Sequence, residues 1–258
     1  MLTLSSLQVD AWLSVYLWPF FRLAAFLMVA PLFGAVFVPA RVRIVLALAV
    51  SVAVAPMLPQ PPNVALFSAD SLLIVMQQLL IGVASGFAMQ LLFDTVGLGG
   101  QLLANSMGLS FAFNVDPQRG ASTPALGQFY LLIVTLTFLA LDGHLRLVEV
   151  LVQGFKVLPI GTSGLGTRGL WQLVQFGGTL FSGAMLVALP GVTALMIVNI
   201  AFGVISRAAP TLNLYAVGFP ISLVFGMVIL LLGLPTVQSA FVGLIESGFD
   251  LLTHWAKG

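Results

Sequence analysis

Side chains able to do chemistry are scarce in this chain, and their spacing supports no reaction centre. Among 258 residues there are two histidines, His144 and His254, eight Asp or Glu, nine Lys or Arg, and no cysteine. The missing thiols exclude disulfides, thiolate metal sites and thiol nucleophiles, and two histidines fall short of a His-rich metal centre. No metal and no cofactor is therefore expected. There is no HExxH, P-loop or Gly-x-Ser-x-Gly, and the acids stand singly rather than paired on one helix face. The run Gly164-Leu165-Gly166-Thr167-Arg168-Gly169 has the letters of a dinucleotide fingerprint, which works only where a strand feeds a helix in a βαβ unit. Here it joins two apolar helical stretches and reads as a connector. His144, beside Asp142 and Gly143 at the end of an apolar run, suits a capping or interface role better than a proton relay. Asp94 and Asp142 also stand at run ends, where charges reach water and helices stop. No catalytic residue is expected.

Three features remain whose work would be physical rather than chemical. Arg22 lies within an apolar run, where a charge costs at least about 2.5–3.5 kcal/mol. It must find partners, either in a channel or subunit interface, or by snorkelling or pairing with Asp10, Asp94 or Asp142. Gly82-x-x-x-Gly86, with Ser85 between, lets another helix backbone approach closely and is a packing signal. The segment Ser110-Phe111-Ala112-Phe113-Asn114-Val115-Asp116-Pro117-Gln118-Arg119-Gly120 combines two aromatics, an amide and a charged turn. Irregular backbone at membrane depth survives only inside protein or beside a water-filled cavity. This segment reads either as a gate or plug loop or as an interfacial connector.

The elements that hold these residues follow from composition. Sixty per cent of the chain is hydrophobic and only 7% charged, against about 45–50% and about 25% in soluble domains. Seventeen charged groups cannot coat a soluble fold of this size, so most of the surface must face lipid or protein. A net charge of +1 without a basic cluster excludes a nucleic-acid binder. Residues 1–22 lack a basic start and a small-residue cleavage site, and read as retained.

Charge-poor runs of about 18 residues or more predict membrane-type helices. They cover 11–38, broken at Pro19 and Pro31; 44–57; 72–93, capped by Asp70 and Ser71 and ended by Asp94; and 124–141. Residues 95–123 read as loop or short helix. An amphipathic helix and a glycine-rich connector follow. The uncharged run 170–205 would measure roughly 54 Å as one helix, well beyond a bilayer core of about 30 Å. It must break at Leu189-Pro190-Gly191 or be sheathed by neighbours. A last run, 214–245, is bent by Pro220 and Pro235, so the C-terminal part forms a long helical hairpin. If the runs alternate sides, Arg41, Arg43, Arg119 and Arg207 fall on one face and Arg146, Lys156, Arg168 and Lys257 on the other. That even split assigns no orientation.

The stretches GGQLLANSMGLSFAFNVDP, LALDGHLRLVEVLVQGFKVLPIG and RAAPTLNLYAVGFPISLVFGM, with the early Arg22…Pro31…Pro39-x-Arg41-x-Arg43 pattern, resemble the FliR family of the flagellar type III export gate. The resemblance covers nearly the whole chain. It implies an all-α integral-membrane-type protein of long, kinked helical hairpins, stacked with FliP and FliQ in a helical assembly around the channel for unfolded flagellar substrates. Residues 1–169 would resemble a FliP protomer and 170–258 a FliQ protomer. The assembly would sit in the inner membrane at the flagellar basal body, displaced toward the periplasm. A loop at about 107–122 would close the pore: Met107, Phe111 and Phe113 as apolar bulk, with Asn114, Asp116, Pro117 and Arg119 shaping the turn. Such constrictions gate by dewetting and need no reactive group. The related injectisome export component is the alternative, and a secondary transporter a more distant one.

Overall fold

The computed structural model describes residues 6–62, 64–109, 125–208 and 214–255. Among the described residues there are eight α-helices and no strand: α1 Ser6–Val29, α2 Ala40–Val54, α3 Ala69–Ser106, α4 Ala125–Ala140, α5 Gly143–Val157, α6 Thr167–Phe176, α7 Gly178–Ala208 and α8 Leu214–His254. A 3-10 turn, Ala55–Met57, extends α2. Four stretches are long and apolar enough to cross a membrane: Ala40–Met57, Ala69–Ser106, Thr167–Ala208 and Gly218–His254. The chain is an all-α protein of integral-membrane type. With 38 residues α3 spans roughly 57 Å, and with 41 residues α8 roughly 62 Å, at about 1.5 Å per residue.

Several expected breaks are absent, for one reason. Pro19 and Pro190, expected breaks, lie inside helices, as do Pro220 and Pro235, where bends were expected. Each removes a single i→i−4 bond, whereas unwinding in apolar surroundings would strand several amides. Asp94 does not end α3, which continues to Ser106. Leu92, Phe93 and Val96 beside it are buried, so packing carries the helix past one acid. The long uncharged run is interrupted at Gly177, between α6 and α7, and not at Pro190.

The chain divides into two compact units. The first comprises residues 1–91, 141–177 and 245–258. Within it α1 and α3 run parallel, because positions 22, 26 and 30 meet 82 and 86 in rising order. Arg43 donates through Nη2 to the carbonyls of Gly34 (3.3 Å) and Ala35 (2.6 Å), pinning the α1–α2 link to the first turn of α2. α5 buries Leu147, Val150, Leu151 and Phe155, one stripe at helical spacing. On the same helix the Arg146 guanidinium lies 4.7 Å from the Phe249 ring centroid. Trp255 donates through Nε1 to the Gly169 carbonyl at 2.8 Å, fixing the end of α8 to α6.

The second unit comprises residues 92–140 and 178–244. Its centre is an aromatic group: the Phe93 ring lies 5.4 Å from Phe138 and 5.1 Å from Phe241, edge-on to both, a favoured arrangement of ring quadrupoles. α7 and α8 pack antiparallel, with Gly183 against Leu244, Gly191 against Ile229, and Ser222 Oγ donating to Asn199 Oδ1 at 3.3 Å. α3 and α4 also run antiparallel, and a Cβ at Gly100 would come within 2.9 Å of the Leu126 carbonyl. The apolar side chains Phe181, Leu186, Ile197 and Leu232 project outward.

Candidate functional site

In the first unit, the glycine pair of α3 and the arginine of α1 belong to one seam. Gly82 lies against the Arg22 carbonyl, Ala25 Cβ and the Phe26 amide; Gly86 lies against the Phe26 carbonyl and the Ala30 amide. Two missing side chains thus allow the α1 backbone to touch α3 over two turns. Ser85, between them, satisfies its hydroxyl on the Ile81 carbonyl at 2.7 Å.

One turn before Gly82, Gln78 meets Arg22. The arginine is 1% exposed and Gln78 is wholly buried. Arg22 donates through Nε to Gln78 Oε1 at 2.7 Å, through Nη2 to the Leu158 carbonyl at 2.8 Å, and more weakly through Nη1 to the Gly154 carbonyl at 3.4 Å. Its guanidinium carbon stands 4.1 Å from the centroid of Phe155. Gly154 and Leu158 belong to the last turn and C-cap of α5, where the helix dipole is negative; the Leu158 carbonyl lacks a helical partner, while the Gly154 carbonyl also accepts from the Leu158 amide. Arg22 therefore caps α5 from another helix. These partners are an amide oxygen, two carbonyls and a ring, where the sequence suggested Asp10, Asp94 or Asp142. Gln78 Nε2 and Trp18 Nε1 remain buried without a partner.

Sequence reasoning missed Gln78 and the α5 terminus. Gln78 was findable, being the one amide a full turn ahead of the glycine pair. Backbone carbonyls carry no letter in a sequence, so the cap was not. His144, expected to cap or to meet an interface, sits in the first turn of α5 with its buried Nδ1 unpartnered. Asp142 precedes α5 in a left-handed conformation, φ 53°, as its N-cap residue.

Of the proposed plug residues, Met107 is described, buried against Gly226 of α8 in the second unit: a Cβ there would come within 2.5 Å of the methionine side chain. Gly108 follows with φ 79°, the conformation that turns the chain out of α3. Phe111, Phe113, Asn114, Asp116, Pro117 and Arg119 lie outside the described residues. No group of three His, Asp or Glu among the described residues is placed to hold a metal ion. A cleft of about 230 Å³ in the first unit is lined by Val15, Pro19, Pro56, Pro59, Pro61 and Ile160, together with Gln60. Such a lining offers packing rather than proton transfer. Among the described residues the arrangement holds helices together and positions the end of α3.

Comparison with known proteins places this architecture. Residues 13–248 match the model of the bacterial export proteins, family 1. The chain is 36% identical over 252 residues to the flagellar biosynthetic protein FliR of Escherichia coli K12, covering 98% of this chain and 96% of that one. It is 30% identical to FliR of Aquifex aeolicus, over 96% of both chains. To FliR of Bacillus subtilis it is 27% identical, over 92% of this chain and 94% of that one.

Proposed function

This chain belongs to family 1 of the bacterial export proteins, and we propose that it is a structural and gating subunit of the flagellar type III export gate. In this reading it assembles with FliP and FliQ, contacts other components of the export apparatus, and borders the channel through which unfolded flagellar substrates leave the cytoplasm. The observation that carries it is likeness over nearly its whole length to proteins named for flagellar biosynthesis, 36% identity over 98% of the chain. Physical features support it. Helices of 38 and 41 residues exceed what a bilayer core of about 30 Å needs, and their outward apolar side chains suit partner helices as well as lipid. In the assembly, residues 1–169 take the place of a FliP protomer and 170–258 that of a FliQ protomer, in the inner membrane at the basal body.

Gating falls to the segment at 107–122. Met107 anchors its base in the second unit. Phe111 and Phe113 supply the bulk that excludes water from the resting pore, and Asn114, Asp116, Pro117 and Arg119 set the turn that presents them.

Purification from native membranes through a tag on this chain is expected to recover two small, highly apolar partners in fixed proportion. Recovery as a homodimer that takes up a small solute saturably would replace the export gate with a carrier. Deleting residues 111–119 is expected to raise ion leak through the assembled complex while the partners still co-purify. An unchanged leak in such a complex would remove the plug role.

A further inference from the structure

Within the first unit, α6 and the end of α8 enclose a cleft of about 230 Å³. Its walls are Gln172, Gln175 and Phe176 on one side and Leu251, His254 and Trp255 on the other. None of these brings a fixed positive charge. Gln172 Oε1 is buried without a partner. His254 Nδ1 lies 3.0 Å from the Asp250 carbonyl, which can only accept; Nδ1 therefore carries the proton, and the neutral ring keeps Nε2 as an acceptor. Trp255 has its one N–H on the Gly169 carbonyl and offers the cleft only its ring. The C-terminus of α8 contributes the negative end of a helix dipole, and the Asp250 carboxylate is exposed one turn before His254. Free acceptors, an aromatic face and negative potential together suit a cationic donor.

The surface of α6 beside the cleft narrows the choice. Arg168 and Gln175 are exposed and Gln172 is half-buried; at about 100° per residue the three lie within about 60° of arc. Arg168 stands one turn, about 6 Å, before Gln172 along the helix. Trp171 and Val174, both exposed, lie about 40° and about 100° further round from Gln175. A cation receptor, an arginine one turn away and an apolar strip alongside match the ammonium, phosphate and acyl chain of a single molecule. We infer that the cleft binds a phospholipid whose headgroup carries a primary ammonium. The ammonium donates to Gln172 Oε1 and His254 Nε2 against the Trp255 ring, Arg168 holds the phosphate, and a chain lies along Trp171 and Val174, with the indole at the membrane boundary that tryptophan favours. A basic side chain from a protein would leave Arg168 and the apolar strip unused, and an anionic headgroup would bring no cation to the acceptors. The inference requires only that the chain lies in a bilayer, and is independent of the export-gate reading.

The full chain, purified in detergent with whatever partners accompany it and stripped of native lipid, is titrated separately with phosphatidylethanolamine, phosphatidylglycerol and phosphatidylcholine. Native mass spectrometry counts the lipid bound. The parent is expected to hold one phosphatidylethanolamine about tenfold more tightly than phosphatidylglycerol, which has no ammonium, or phosphatidylcholine, whose methylated nitrogen cannot donate. His254→Lys and Gln175→Lys each place a cation at the cleft and are expected to erase that preference. Arg168→Glu is expected to weaken binding of all three lipids, which share the phosphate. The three positions are exposed, so unchanged thermal unfolding of the variants is expected; should His254→Lys unfold the chain, Gln175→Lys decides. Equal affinity of the parent for the three lipids would overturn the inference, whether the cleft is open to water or filled by a partner's basic side chain. A preference that survives the lysine variants would also overturn it, placing the lipid elsewhere on the protein. Neither result depends on which partners co-purify.

Discussion

Replacing Arg22 by Met tests the seam of the first unit most sharply, because it removes the charge while keeping much of the apolar stem. The substitution orphans Gln78 Oε1, which is wholly buried, and the Leu158 carbonyl, which is part-buried; the Gly154 carbonyl keeps its bond from the Leu158 amide at 2.8 Å. An orphaned buried acceptor costs about 1–3 kcal/mol, and the lost contact with Phe155 about 0.5–2 kcal/mol. Relief from burying a guanidinium offsets part of this sum. A net loss of about 2–4 kcal/mol follows, which at roughly 2–4 °C per kcal/mol lowers Tm by about 4–16 °C. Gln78→Glu supplies the decisive contrast. Opposite Arg22 it places a carboxylate where an amide with an unpartnered Nε2 now stands, and stability should hold or rise. In the Arg22→Met background the same carboxylate is buried alone and should cost about 3–5 kcal/mol more. Thermal unfolding of the four proteins in one detergent measures the cycle. Equal effects of Gln78→Glu in both backgrounds would show that Arg22 and Gln78 are not coupled, and would refute the buried contact between α1 and α3 at this pair.

Other expectations follow from backbone geometry. Gly82→Ala should lower thermal stability by about 1–3 kcal/mol, since its Cβ would press on the Arg22 carbonyl and come within 2.8 Å of Ala25 Cβ. Gly154→Ala, with nothing within 4 Å of the added carbon, should instead stabilise α5 by about 0.5–1 kcal/mol. If the two alanines behave alike in thermal melts, the close approach of α1 and α3 is wrong. At Asp142, where φ is 53°, Gly should be tolerated and Val should destabilise by roughly 1–2 kcal/mol. Circular dichroism melts of the two variants compare them directly, and equal midpoints would argue against the left-handed turn before α5.

Much of this protein was readable from its letters. The excess of apolar residues over charged ones pointed to a helical membrane architecture, because helices satisfy the backbone in lipid and the charge-poor runs are long enough to form them. Gly82 and Gly86 announced a close helix contact, and residues 124–141 and the amphipathic stretch after them became α4 and α5 nearly as expected. Breaks were misjudged where local signals met tertiary packing. Pro19 and Asp94 look like helix stops in a linear reading, yet buried neighbours at Trp18, Arg22, Leu92 and Phe93 hold both helices intact.

What the sequence determined by itself was which residues must avoid water, since that follows from side-chain type alone. It also showed that Arg22 needed partners. Only the tertiary structure decided who they are, because two of its three hydrogen-bond acceptors are backbone carbonyls at the end of α5, 132 and 136 residues away along the chain. Such acceptors become available only when a helix ends there and the fold brings that end to α1.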